Sequence, residues 1–349
     1  MLNKMRMNVF THGYYKKSLT GPNSFTRNVF RYLEVAGVHI IPSRQFCDIE
    51  YCLIQEDYPK DPKIPRIQRL DGIYFNTNSD IPYQKSNEMI KRTYESSDAV
   101  VFQTEFNKKL TEHFFGEHPN GRVIVNGADL QELLLIPKFD FTRTPIGDRE
   151  VWSCASFWRP HKRIDENIKY FLEFAPKDAC LVIAGPELTK SIKDVDLLKK
   201  HINKRIFYLG FLDRASLLSV YKRSTHFIHL AYLDHCPNVV VDAQACGAKI
   251  ICASSGGTKE IVHNGIVVKD RDWDFTPHDV YNPPVLDFAN TTVISDKNKE
   301  KYHIGISAQK YYIAMAELFY NRYPEKFIKN SEEINESLQK DNNEGKTNE

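Results

Sequence analysis

No stretch of the sequence approaches the roughly 18 consecutive apolar residues of a membrane-spanning helix. The first ten residues, MLNKMRMNVF, also lack the apolar segment of a signal peptide. The formal net charge is only +2, which argues against nucleic acid as a partner. We therefore expect a cytoplasmic protein, and peripheral contact with a membrane stays open because a surface patch leaves little trace in a sequence.

The chain is also poor in patterns that bind metal. Its seven cysteines are odd in number and scattered, and there is no C-x-x-C pair, so a zinc site is not expected. Cysteines such as Cys52 and Cys252 lie inside apolar runs, which is typical of reduced cysteine in a core. Two D-x-D patterns occur, at 194–196 in a charged helical stretch and at 270–272 after a strand. We interpret both as solvated or structural and predict neither a metal ion nor a cofactor.

The chain is long enough for two domains, because it has 349 residues and domains typically have about 100–200. Short apolar strands alternate with amphipathic helical stretches, which predicts an α/β fold with parallel sheets. The first unit is expected at 1–130. Residues 131–149, with Pro137, Pro145 and Gly147, are interpreted as a linker. The second unit is expected at 150–305, followed by a helix at 306–329 and a polar, disordered tail at 330–349.

The individual elements are predicted from apolar periodicity. Strands are expected at 7–13, 51–54, 67–70, 99–103, 123–125, 151–155, 180–184, 206–208, 226–230, 249–252 and 265–268. Helices are expected at 25–36, 84–96, 105–115, 165–174, 215–222, 239–246 and 307–320. Asn23 or Ser24 is expected to cap the first of them, after a polar loop that ends at 21–24.

The most informative stretch runs from residue 228 to 260, with a strand, a polar loop, a helix, another strand and a Gly-Gly loop. Asp234 lies in the polar loop, and Asp242, which seven residues separate from it, lies on the first turn of the predicted helix. A helix N-terminus offers free N–H groups and a positive dipole end to a diphosphate, and we assign this role to the amides of Pro237, Asn238 and Val239. Carboxylates on either side can bind ribose and sugar hydroxyls. The alternative is that Asp242 is a helix cap and Asp234 an ordinary loop residue.

This stretch resembles the family 4 retaining glycosyltransferases of the GT-B fold. Their signature has two glutamates seven residues apart, then Ala, Gly and a Gly-Gly-x-x-Glu loop, and the phrase DHCPNVVVDAQACGAKIICASSGGTKE fits it in order and spacing. Both expected glutamates are aspartates here, Asp234 and Asp242, each one methylene shorter. The resemblance covers most of residues 7–320, most strongly 151–268. It implies GT-B architecture: two Rossmann-like α/β domains facing a cleft, the donor on the second and the acceptor on the first.

A basic loop, SFWRPHKR at 156–163, follows the first strand of the second unit. Arg and Lys together can neutralise a leaving diphosphate. By resemblance to the family, Arg159 and Lys162 match the positions that bind the donor phosphates, and Arg163 is a substitute for either. The alternative is a solvated basic loop.

The remaining sites are weaker. By resemblance, strand ends at 181–187 and 206–212 flank the nucleotide base, which nominates Gly185, Phe211 and Leu212. In the first unit, Gly21 stands where the family has a Gly-rich loop. Asp71 follows a buried strand, whose C-terminal end lines the crevice of such sheets, and it is nominated as a catalytic contact to sugar or acceptor; a plain Asp-Gly turn is the alternative. His12, at the end of the first strand, is nominated as a donor-binding residue.

The resemblance therefore implies a retaining, metal-independent glycosyltransferase, which moves a sugar from a nucleotide-sugar to a glycan, lipid-linked or protein acceptor. Asp234, Arg159, Lys162 and Asp71 are its expected catalytic residues. Three alternatives remain open. They are an inactive or weakly active nucleotide-sugar-binding protein, a phosphorylase or epimerase of the same architecture, and an α/β scaffold with no nucleotide site.

Overall fold

The structure is a computed structural model that describes residues 6–18, 20–77, 82–295 and 302–325. The tail predicted at 330–349 and the end of the helix predicted at 306–329 lie outside the described residues. The chain forms two α/β units, each built around its own sheet. The α/β class predicted from the sequence is confirmed.

The first unit has a parallel sheet of six strands in the order β2-β1-β3-β4-β5-β6. Three inner strands, the third to the fifth in sequence, are buried along their whole length, and the fifth (AVVF) is a continuous apolar run, as expected for a parallel sheet covered on both faces. The strands are β1 (Met7–His12), β2 (Val38–Ile40), β3 (Ile49–Leu53), β4 (Arg66–Arg69), β5 (Ala99–Phe102) and β6 (Gly121–Val123). The helices among them are α1 (Gly21–Val35), α2 (Tyr83–Ser96) and α3 (Glu105–Phe115), and α4 (Leu130–Leu135) follows in the segment predicted as linker.

The second unit has seven strands in the order β13-β12-β11-β10-β7-β8-β9, parallel except for β13 at one edge. The strands are β7 (Val151–Ala155), β8 (Cys180–Ala184), β9 (Ile206–Gly210), β10 (His226–His229), β11 (Lys249–Ala253), β12 (Asn264–Val268) and β13 (Thr291–Ser295). The helices are α5 (Ile164–Phe174), α6 (Leu188–Ser191), α7 (Val195–His201), α8 (Arg214–Arg223), α9 (Asn238–Ala245) and α10 (Thr258–Ile261).

The last helix, α11 (Ile304–Arg322), returns to the first unit. It packs against α1, and residues such as Tyr311 and Met315 are fully buried in the core beneath the first sheet. At the return point, the N–H of Ala128 donates to the carbonyl of Tyr302 (2.8 Å), and the N–H of Ile304 donates to the carbonyl of Ala128 (2.9 Å). The chain therefore passes between the units twice, at neighbouring positions.

The predicted start of α1 was wrong. Helix α1 begins at Gly21, so residues 21–24 are its first turn and not a loop that precedes it. Proline is tolerated in the first turn because its missing N–H has no partner there in any helix. The N-cap is Thr20, and Asn23 does not cap the helix: its Nδ2 donates to Oγ1 of Thr20 (2.9 Å) and its Oδ1 accepts from the N–H of Tyr15 (2.6 Å).

Candidate active site

An ion pair joins two strand-end loops of the second unit. Lys162 lies after β7 and Asp234 after β10, and Nζ of Lys162 lies 2.5 Å from Oδ2 of Asp234. The same oxygen lies 2.8 Å from Nε2 of His229, the last residue of β10. Because β7 and β10 are neighbouring parallel strands, their C-terminal ends bring these side chains to one edge of the sheet.

The charges of this cluster are strongly biased. Burial opposes ionisation of Asp234, but Lys162 and His229 outweigh it and hold the pKa of this carboxyl well below its usual range. Burial lowers the pKa of His229, although Asp234 counteracts part of the effect. The cluster therefore contains a carboxylate and an ammonium group beside a histidine that stays neutral at neutral pH.

The Gly-Gly pair of the sequence motif supports this loop from behind. A Cβ atom on Gly256 would lie 2.5 Å from the carbonyl oxygen of Asp234, and one on Gly257 would lie 2.1 Å from that of His235. The N–H of Gly257 donates to the carbonyl of Asp234 (2.8 Å). Any side chain at these two positions would displace the loop that carries Asp234.

Two helix N-termini meet between the units. Nδ2 of Asn238, the first residue of α9, donates to the carbonyl of Gly21, the first residue of α1 (3.0 Å). The first N–H groups of each helix have no partner within their helix, and both helix dipoles present their positive ends here. The predicted donor residues Gly21 and Asn238 are thus brought together, one from each unit.

The assignment of three donating amides was wrong for one residue. Pro237 is the N-cap of α9, and proline has no backbone N–H. Asn238 and Val239 keep theirs, so this helix start offers one donor fewer than expected. The carbonyl of Pro237 accepts from the N–H of Val240 (3.0 Å).

A polar network connects Asp71 of the first unit to this junction. Oδ1 of Asp71 accepts from Nε2 of Gln103 (2.8 Å) and from Arg69 (3.1 Å). Nδ2 of Asn126 donates to Oε1 of Gln103 (3.0 Å) and to Oδ1 of Asn238 (2.8 Å). Asp71 is therefore positioned by buried partners while its own side chain stays 38% exposed.

Asp242 has a partner that the sequence motif does not reveal. Arg214 of α8 binds it through two nitrogens, at 2.9 Å and 3.2 Å, and also binds Glu132 of α4 at 2.9 Å and 3.0 Å. Burial raises the pKa of Asp242, and Arg214 counteracts the effect in part. Both carboxylate oxygens of Asp242 thus already accept hydrogen bonds from the guanidinium group of Arg214.

The residues nominated for the base lie at the ends of β8 and β9. Gly185 has φ +108°, its N–H donates to the carbonyl of Gly210 (2.7 Å), and a Cβ atom on it would lie 1.8 Å from the carbonyl oxygen of Ser156. Phe211 is 65% exposed, whereas Leu212 packs at the edge of the core. The exposed ring of Phe211 is thus available for contact, and the side chain of Leu212 is largely used in packing.

Two other nominated residues have partners of their own. The guanidinium of Arg159 lies over the ring of Phe157, 5.5 Å from its centroid, and its carbonyl accepts from the N–H of Lys162 (2.8 Å), so Arg159 belongs to the same loop as Lys162. His12 is buried in the first unit, with Nδ1 2.5 Å from Glu56 and Nε2 3.6 Å from Glu50.

Arg163 is not a substitute for Arg159 or Lys162, because its side chain is fully buried. It forms an ion pair with Asp270 at 2.7 Å, which also explains the second D-x-D pattern. In the first D-x-D pattern, Asp194 is the N-cap of α7 and Asp196 is exposed. Within the described residues, no group of three His, Cys, Asp or Glu side chains has the arrangement of a metal site.

Two histidines next to the motif were missed by the sequence analysis. His229 ends a buried strand, and that position was a usable signal. His235 follows Asp234 directly and reaches into the first unit: its Nδ1 lies 3.1 Å from Nδ2 of Asn107, and its ring stacks on Phe75 at 5.4 Å. Its partners are more than 120 residues away in sequence, so no local pattern could have indicated them.

The described helices include none that is long and apolar enough to cross a membrane. Part of the chain matches a known protein family in sequence. Residues 141–275 match the family model described as "Glycosyl transferases group 1". The match includes Arg159, Lys162, Asp234 and Asp242, and it begins within the segment predicted as linker.

Two curated proteins are similar to this chain in sequence. The chain is 24% identical over 205 residues to a GDP-mannose-dependent monoacylated alpha-(1-6)-phosphatidylinositol monomannoside mannosyltransferase of Corynebacterium glutamicum, a match that covers 54% of this chain and 53% of the relative. The chain spans about half the length of the curated relatives it matches, 53% and 56%.

Solved structures show the fold of the chain. Sucrose-phosphate synthase from Thermosynechococcus elongatus superposes with a TM-score of 0.64 at 12% identity, covering 90% of this chain and 99% of that one. Anabaena HepE in complex with UDP superposes with a TM-score of 0.55 at 14% identity, covering 96% and 100%. The predicted GT-B fold is confirmed.

Proposed function

We propose that this chain is a retaining glycosyltransferase that moves a sugar from a nucleotide-sugar to an acceptor hydroxyl of a glycan, lipid or protein, without a metal ion. The observation that carries the proposal is the meeting of two helix N-termini at Gly21 and Asn238. Two positive dipole ends, with the N–H groups of the first helical turns, suit a diphosphate. The family match at 141–275 and the UDP complex of HepE, which has the same fold, support a nucleotide-sugar donor.

Lys162 supplies the charge that a leaving diphosphate requires. In this proposal, bound phosphate competes with Asp234 for the ammonium group, and Lys162 then stabilises the negative charge that develops as the glycosidic bond breaks. Asp234, relieved of part of its ion pair, binds hydroxyls of the sugar. Arg159 moves from the face of Phe157 to the phosphates. These cations and helix ends take the part that a metal ion has in other glycosyltransferases.

Retention of configuration requires the acceptor to attack the face that the diphosphate leaves. We propose that the leaving phosphate oxygen accepts the proton of the attacking hydroxyl, so that the new bond forms where the old one breaks. Asp71 faces the site from the first unit and is proposed to orient the acceptor hydroxyl. Phe211 and Gly185 are proposed to flank the base, and Asp242 to bind the ribose after Arg214 shifts.

The first test measures nucleotide release from a panel of UDP-, GDP-, ADP- and dTDP-sugars in the presence of EDTA. Release with one donor is expected, and Lys162→Ala and Asp234→Asn should each reduce it by roughly 100-fold or more. The matched control is Lys169→Ala, which removes an exposed lysine of α5 in the same unit. NMR of the product then reports whether the anomeric configuration of the donor is kept. Release that requires a divalent ion would contradict the metal-free proposal.

A nucleotide-sugar-binding protein without turnover is the second candidate. Two observations favour it: Asp242 is occupied by Arg214, and Pro237 removes one amide from the diphosphate site. It predicts that a donor raises the thermal unfolding midpoint while no nucleotide is released with any acceptor. If no donor stabilises the protein and no donor releases nucleotide, both candidates are rejected.

A further inference from the structure

A second concave site lies between the two units, beside Asp234. It is a pocket of about 330 Å³. The first unit contributes the loop after β4, with Ile73 and Phe75, and one face of α2. The second unit contributes Leu233, Trp273 and Val280. Leu233 immediately precedes Asp234, so one wall of the pocket is continuous with the proposed catalytic loop.

The pocket is preformed by contacts between the units. The N–H of Val280 donates to the carbonyl of Asn76 (2.9 Å). The rings of Phe75 and Trp273 meet edge to face at 5.6 Å, and Phe75 also stacks on His235. Leu233 and Val280 are buried in a shared apolar cluster. These contacts hold both walls in place without a ligand, as is usual for small-molecule sites.

The exposed surface of the pocket is mostly apolar. Polar side chains also line it, among them Gln84, Asn87 and His278, together with Glu88 and Lys91 of α2. A diphosphate placed against this mostly apolar surface would lose hydrogen bonds to water. An alkyl or aromatic group would instead move from water onto a largely apolar surface.

We propose that this pocket binds an apolar group attached to the acceptor, an alkyl or aromatic aglycone that sits next to the hydroxyl to be glycosylated. This inference rests on the proposed function, because it assigns the acceptor of the same reaction. The volume is near the lower end of the range for ligand pockets, roughly 300–1,000 Å³, so it takes a short segment of such a group. The acceptor class is thus a glycoside or alcohol with an apolar neighbour, in preference to a free sugar.

The chain contains its own reporter for this binding. Of its three tryptophans, Trp152 and Trp158 are buried, and Trp273 is half-buried in the wall of the pocket. Methyl, butyl, hexyl and octyl glucosides, below their micelle concentrations and without donor, should change the fluorescence of Trp273. Affinity should rise roughly fourfold for each methylene buried, until the pocket is full.

Two variants and one control localise the effect. Phe114→Asp puts a charge on the pocket wall, and Tyr83→Ser removes part of that wall; both should weaken binding of octyl glucoside at least tenfold. Phe46→Asp is the matched control, because Phe46 is 68% exposed outside the pocket, and it should bind normally. Circular dichroism and the thermal unfolding midpoint show whether each variant is folded. If one variant fails to fold, the binding result of the other variant tests the proposal.

Equal affinity of the unaltered protein for all four glucosides would overturn the inference. Because binding is measured without donor, the outcome is separate from that of the proposed function. Nucleotide release without any dependence on chain length rejects the apolar acceptor and leaves the glycosyltransferase standing. Dependence on chain length without release from any donor does the reverse.

Discussion

Nζ of Lys162 lies 2.5 Å from Oδ2 of Asp234, and this ion pair ties the loop after β7 to the loop after β10. Asp234 is buried, and burial alone would raise its pKa. The lysine and His229 reverse the direction of the shift. Removing the lysine should therefore be visible as a change in how the protein responds to pH.

We predict that Lys162→Met moves the acid limb of the activity profile to higher pH. In the unaltered protein the folded pKa of Asp234 is depressed, so the stabilisation from its charge is present above the unfolded pKa and is lost as pH falls through the folded pKa. Without Lys162, one of the two groups that lower the pKa of Asp234 is gone, so the carboxyl protonates at a higher pH. The measurement is kcat/KM for nucleotide release against pH, and an acid limb that coincides with that of Lys169→Met would contradict the prediction.

Arg214→Ala should destabilise the fold, because it leaves Asp242 and Glu132 close together without their shared cation. The expected loss is roughly 1–3 kcal/mol, less than for a fully buried pair, because the Arg214 side chain is 34% exposed and water screens part of the charge. Urea unfolding at pH 7 measures this loss. Arg214→Lys keeps the charge but not the bidentate geometry, so its free energy of unfolding should lie between those of Arg214→Ala and the unaltered protein.

The same variant should recover part of its stability in acid. Burial already raises the folded pKa of Asp242, and loss of Arg214 raises it further. A raised folded pKa favours folding below the unfolded pKa, and this contribution is lost as pH rises through the folded pKa. The difference between Arg214→Ala and the unaltered protein should therefore be smaller at pH 4 than at pH 7. A constant difference would show that lost packing, not charge, is the cause.

Gly185→Ala and Gly247→Ala form a matched pair, since both glycines have positive φ, +108° and +99°. Alanine at Gly247 meets no atom within 4 Å and should cost about 1–2 kcal/mol of backbone strain. Alanine at Gly185 would place its Cβ 1.8 Å from the carbonyl oxygen of Ser156 and should cost roughly 3–5 kcal/mol. Thermal unfolding compares the two, and equal losses would contradict the close approach of these two loops.

Glu260→Gln should loosen the contact between the units. The carboxylate of Glu260 in the second unit accepts from the N–H groups of Glu105 and Phe106, at 2.7 Å and 2.8 Å, and so caps α3 of the first unit. We expect a loss of roughly 1–2 kcal/mol and a larger radius of gyration by X-ray scattering. Glu95→Gln is the control, because it removes an exposed carboxylate from α2 of the first unit, where its ion-pair partner Lys91 lies on the same helix. An unchanged radius would contradict the prediction.

The sequence predicted elements best where the pattern was local. Strands 151–155 and 180–184 and helix 105–115 have the predicted bounds, because buried apolar runs and a capping Thr104 define them within a few residues. Strand β13 was missed because its side chains are mostly exposed and it pairs across a long loop. The start of α1 was missed because Gly-Pro was interpreted as a turn.

For the candidate site, too, the local features could be predicted from the sequence and the long-range contacts could not. The spacing of Asp234 and Asp242 follows from one strand, loop and helix, and so does the position of Lys162 after a strand. Their partners do not: Arg214 is 28 residues from Asp242, and Asn126 is 112 residues from Asn238. Residues so far apart in sequence come together only in the folded chain, so no local sequence pattern indicates that they form pairs.

The double passage of the chain at Ala128 joins the two units at one place. Backbone hydrogen bonds fasten the returning segment at 302–304 to the outgoing segment at Ala128, and a Cβ atom on Gly127 would meet the carbonyl carbon of His303 at 2.6 Å. If a ligand changes the orientation of one unit relative to the other, we expect a rotation whose axis passes near Ala128, because both connecting segments are bonded side by side there.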